Sequence, residues 1–112
     1  MSPKLRPLIA RVYKNIHLPQ YCLPDLRDAM IALFSFLCEP QNRTTANCRA
    51  VDLFFAVPDH WEVRWENLPR EYQDILEDVG GALHDTVSSP DIAECFASTP
   101  EKLLERAKKL KV

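Results

Sequence analysis

The side chains able to do chemistry in this 112-residue chain are three histidines, four cysteines and sixteen carboxylates. The histidines are His17, His60 and His84; the cysteines are Cys22, Cys38, Cys48 and Cys95. Metal sites show themselves in ligand spacing, because a short run of chain must return two ligands to one ion. Here no two cysteines form a CxxC, no HExxH or ExxH occurs, and a proline-containing connector separates His17 from Cys22. No metal is expected. Nucleophilic catalysis has no anchor either, since GxSxG is absent and no cysteine lies in a recognisable catalytic signature. The two glycines are adjacent, Gly80-Gly81, which leaves no phosphate-cradling loop and no dinucleotide fingerprint. No cofactor is expected. Neighbours on a helix point about 100° apart, so His84-Asp85 makes no natural dyad. His84 reads instead as a helix histidine at the border of the core.

Charge and aromatic rings remain. Residues 1–58 carry a net +3, residues 59–94 a net −8 and residues 95–112 a net +3. Glu71, Asp74, Asp78 and Asp85 share one face of a helix, away from Tyr72, Ile75, Val79 and Leu83. Such a face reads as a solvated surface, as an intramolecular match for the basic terminal helices, or as a docking surface for a basic protein partner. Trp61 and Trp65 fall four apart, flanked by Glu62 and Glu66. Exposed, they would anchor an interface; buried, they would be core. The expected partner-binding residues are therefore Trp61, Trp65, Glu71, Asp74, Asp78 and Asp85. A net charge of −2 does not suggest a nucleic-acid partner, and Lys4, Arg6, Arg11 and Lys14 spread around the first helix.

The longest apolar run, Ala29 to Cys38, is broken only by Ser35 and falls short of the about 20 residues a bilayer span needs. No membrane association is expected. The N-terminal stretch lacks the apolar segment of a secretory signal, which points to the cytoplasm and to four reduced, unpaired thiols, most of them buried.

The elements that must position these residues are punctuated by nine prolines. Proline fits the first turn of a helix and is excluded from its interior. Apolar spacing predicts helices over 6–16, 24–38, 45–56, 69–88 and 100–111, with a short helix led by Pro90-Asp91. Thr44 or Thr45 is the expected N-cap of the third helix, and Thr99-Pro100-Glu101 opens the last. Segment 59–66 reads as a short helix, although Trp61 to Glu66 also alternates as a strand would. Two glycines inside the long helix cost about 1 kcal/mol each relative to alanine. A close helix crossing is the first offset for that cost, a kink or break the second, and a ligand against bare backbone the third.

The expected fold is all-α: one domain over 1–112, a compact bundle of about five to six helices. Helix 24–38 is apolar nearly all round and therefore central, with 45–56 and 69–88 packed on it. Its surplus apolar surface, to which 45–56 adds Leu53, Phe54 and Phe55, suggests a homodimer unless the first and last helices cover Ile31 and Phe36. The favoured function is a small non-enzymatic interaction module with an acidic docking face: a regulator, adaptor, inhibitor or immunity-type protein. The alternative is a helical ligand-binding or catalytic domain with a pocket near Gly80, His84 and Trp61/Trp65.

Overall fold

The structure is a computed structural model that describes residues 2–16, 22–55, 68–88 and 99–112, with side chains for all of these except 52–55 and 80–88. Five α-helices and no strand occur among the described residues: α1 (Leu5–Ile16), α2 (Leu23–Cys38), α3 (Thr45–Phe55), α4 (Arg70–Ser88) and α5 (Pro100–Lys108). The expected helix over 59–66 and the one led by Pro90-Asp91 lie outside the described residues, as do Trp61, Trp65, His17, His60 and Cys95.

Local chemistry explains where the helices begin. Pro24 occupies the first turn of α2, and Asp25 sits at its positive end. Thr44 caps α3: its Oγ1 accepts from the Asn47 N–H at 3.1 Å. Thr99 caps α5 in the same way, accepting from the Lys102 N–H at 3.4 Å. At the head of α4 the Pro69 carbonyl accepts from the N–H groups of Tyr72 and Gln73, so the proline stands one residue before the helix.

The ends are equally local. Pro40–Asn42 forms a single 3₁₀ turn that closes α2. Two of the last carbonyls of α2 are satisfied by side chains: Asn42 Nδ2 donates to the Phe36 carbonyl at 3.1 Å and Arg43 Nε to that of Leu37 at 3.1 Å. The polar stretch 41–44 is thus a C-terminal clamp as well as a connector. Helix α5 stops three residues earlier than its spacing predicts. The N–H groups of Lys109 and Leu110 bond back to Arg106 and Ala107, the i−3 pattern that tightens a final turn. Helix α4 runs unbroken through Gly80-Gly81, so the break considered for that pair does not occur.

One apolar cluster draws buried side chains from all five helices. Helix α2 supplies Leu26, Ala29, Met30, Leu33, Phe34 and Leu37. It is flanked by α1 and α5, whereas α3 and α4 pack chiefly on each other. That corrects the expected arrangement of 45–56 and 69–88 around α2, and the cause is plain. Helices α1 and α5 each present a narrow apolar stripe that α2, apolar on several sides, can receive. Ile31 and Phe36 are half-buried and packed against the cluster. The radius of gyration, 13.1 Å, is that of a compact chain of this length. Among the described residues no helix is long and apolar enough to cross a membrane.

Candidate functional site

Helix α4 turns Tyr72, Ile75, Leu76 and Val79 into the core. The same turn of helix leaves Glu71 and Asp78 exposed and Asp74 half-buried along its edge toward α5. Three of the expected partner-binding residues are therefore brought together on one helix edge. Asp85, with His84 and Gly80, lies on α4 beyond the last described side chain of that helix, and the two tryptophans lie outside the described residues.

Two of the three acids already have partners. Asp74 Oδ1 accepts from Arg70 Nε at 3.1 Å, one turn earlier on α4. Asp78 Oδ2 accepts from Arg106 Nη1 at 2.9 Å, across the α4–α5 seam. Both pairs are open to solvent, so each stabilises the fold by no more than about 1 kcal/mol. The acidic centre is thus matched in part by the basic last helix, while Glu71 takes part in no ion pair among the described residues.

Between α4 and the end of α5 runs an open cleft of ≈ 310 Å³. Glu71 and Asp74 form one wall; Arg106, Lys109 and Lys111 form the other; Ile75 and Leu110 make the floor. Lys109 is held by Glu105 at 3.2 Å, one turn back on α5. The buried Tyr72 hydroxyl donates to the Lys111 carbonyl at 2.9 Å and fixes the chain end beside the cleft. Burial pushes the Tyr72 phenol above its ordinary value, with the Arg27 charge opposing and the Glu71 charge adding to it. Periodicity places Glu71 and Asp74 on a face, but the wall opposite comes from residues more than 30 positions later and leaves no local signal.

The remaining candidates stand elsewhere. Among the three cysteines described, Cys22 is exposed, Cys38 half-buried and Cys48 buried, all as free thiols, so burial is less general than expected. Burial raises the Cys38 thiol first, then the Glu101 carboxylate, against Arg43 and Lys108. Burial also raises Cys48, against Arg43. Raised thiols are poor nucleophiles at neutral pH. Among the described residues no three His, Cys, Asp or Glu side chains converge as a metal site would require. What the cleft can do chemically is hold charge. The wall of Glu71 and Asp74 can accept from an ammonium or guanidinium head, and the wall of Arg106, Lys109 and Lys111 opposite can donate to an anion.

No family model matches the chain, and the searches of curated proteins and of solved structures return no match.

Proposed function

We propose that this chain is a small non-enzymatic interaction module that docks a basic protein segment along the acidic edge of α4. The carrying observation is the placement of Glu71 and Asp74 on the rim of a cleft floored by Ile75 and Leu110. An apolar floor inside a charged rim is the anatomy of a protein interface. The docking charge is narrower than the sequence suggests: Glu71 forms no ion pair among the described residues, Asp74 is shared with Arg70 on the same helix, and Asp78 serves the seam with α5. Trp61, Trp65 and Asp85 extend the proposed surface on sequence grounds. The reading takes the chain as cytoplasmic with reduced thiols and as a monomer, the last supported by the packing of Ile31 and Phe36 against the core cluster.

The experiment is affinity capture from source lysate with wild type and with Glu71→Lys/Asp74→Lys, at low and high salt. Asp78 is left alone, because a lysine there would face Arg106 and confound folding with binding. Wild type should retain a basic protein that high salt releases, and the double variant should lose it with an unchanged circular dichroism spectrum. Equal capture by a folded double variant would reduce the acidic edge to a solvated surface.

A further inference from the structure

The first acid of the chain is Asp25; before it stand Lys4, Arg6, Arg11 and Lys14. The apolar half of α1 is committed to the core through Leu5, Val12 and Ile16, with Leu8 and Ile9 packed against it. All four cations are exposed, and none forms an ion pair among the described residues. What reads along the sequence as scatter is the whole solvent half of the helix. Lys4 and Arg11 follow one edge, Arg6 and Tyr13 the other, and Lys14 lies between them. Each such pair is seven residues apart, two turns or about 10.5 Å. Tyr13 is 42% exposed, and Val112 is the one other exposed large hydrophobic among the described residues. Arg49, on the neighbouring α3, is a further exposed cation.

The acidic edge of α4 has partners in Arg70 and Arg106, whereas Lys4, Arg6, Arg11 and Lys14 form no ion pair among the described residues. Helix α4 packs chiefly on α3, and α1 chiefly on α2. Exposed charges more than about 8 Å apart are largely screened at physiological salt, so the net −2 of the chain does not decide what α1 meets.

Three kinds of anionic surface can be weighed. Against a folded acidic protein, exposed ion pairs yield at most about 1 kcal/mol each, and this face offers one aromatic ring to bury. Against an anionic membrane, the apolar face of α1 that would insert lies in the core, which leaves only about 1 kcal/mol for each Lys or Arg near the surface. A nucleic-acid strand differs, because neutralising its phosphates releases condensed counterions and charge alone then generates affinity. We infer that the solvent face of α1, formed by Arg6, Arg11 and Lys14 with Lys4 in the turn before the helix, binds the phosphate backbone of a nucleic acid without sequence preference.

The test is fluorescence anisotropy of the full chain with a labelled mixed-sequence oligonucleotide of about 20 residues, single-stranded and duplex, at about 50 and 200 mM salt. Binding to at least one form is expected, weakening roughly 50- to 150-fold between the two salts if four phosphates are neutralised. Lys4→Gln/Arg6→Gln/Arg11→Gln/Lys14→Gln should abolish it while circular dichroism is retained. Should that variant not fold, Arg11→Gln and Lys14→Gln singly should each lower the salt slope by about one. Glu71→Gln/Asp74→Asn should leave this binding in place, so it stands or falls separately from docking at α4. No binding to either oligonucleotide at the lower salt overturns the inference. So does binding indifferent to the α1 substitutions, or binding confined to phosphatidylserine vesicles.

Discussion

Asn47 is the residue on which the N-terminal end of the bundle turns, and it is the one fully buried polar side chain among those described. Its Oδ1 accepts from the Ser2 backbone N–H at 2.8 Å, and its Nδ2 donates to the Asn42 carbonyl at 2.8 Å and to Ser2 Oγ at 3.0 Å. A buried amide with its bonds made is tolerated, whereas removing it strands the groups it served at about 1–3 kcal/mol. Asn47→Ala should therefore lower unfolding stability by about 2 kcal/mol. Asn47→Asp should cost more, because a carboxylate would face the Asn42 carbonyl from inside the core. Urea titrations at matched m-values measure both; an aspartate variant as stable as wild type would mean that the network does not form. Nothing in the sequence flags this residue. Asn47 follows Thr44, Thr45 and Ala46 in what reads as a helix start, and its partner Ser2 is 45 positions away.

At the scale of elements, what was legible was local. Apolar spacing and proline placement located α1 to α5 within three residues at every end, and Thr44 and Thr99 cap as their types require. The links between elements were not legible, because periodicity carries no information about which helix a face meets. Asp78 finds Arg106 28 positions later, and Tyr72 finds Lys111 39 positions later. The same holds for the ion pair of Arg43 with Glu101, which ties the α2–α3 turn to the first turn of α5. Burial alone would raise the Glu101 carboxyl. The Arg43 guanidinium, its own backbone N–H and the Thr99 hydroxyl overcome that and hold it below its ordinary value. A carboxyl depressed in the fold contributes stability that is present above its unfolded pKa and is lost as pH falls through the folded one. Glu101→Gln should therefore be less stable than wild type near pH 7, by a few tenths of a kcal/mol because the pair is half exposed. Near pH 3 the difference should shrink. Denaturant midpoints at the two pH values check this, and a constant gap would assign the effect to packing instead of charge.

At the scale of the molecule, the charges are segregated along the chain, and the apolar surface of the described residues is largely buried. The segment 59–94 carries −8, and the regions on either side carry +3 each. Such a chain invites self-association by two routes, apolar and electrostatic, and both are weak here. The apolar route rests on Ile31 and Phe36 of α2 and on Leu53, Phe54 and Phe55 of α3; the first two are half-buried against the cluster, with α1 and α5 on the flanks of α2, and the side chains of the other three lie outside those described. Tyr13 and Val112, the exposed large hydrophobics among the described residues, lie on α1 and at the chain end, and two scattered side chains make no patch. The electrostatic route would set the basic α1 of one copy against the acidic α4 of another. Each such pair adds at most about 1 kcal/mol, while association costs at least about 4 kcal/mol in lost translational and rotational freedom. Part of the acidic side is also already matched by Arg70 and Arg106. The chain should therefore sediment as a 12.9 kDa monomer at micromolar concentration, with no change between low and high salt. A dimer that persists in high salt would mean an apolar interface made by residues other than Ile31 and Phe36. A dimer that salt dissolves would pair α1 with α4, and Lys14→Glu should then weaken it while Glu71→Lys/Lys14→Glu restores it.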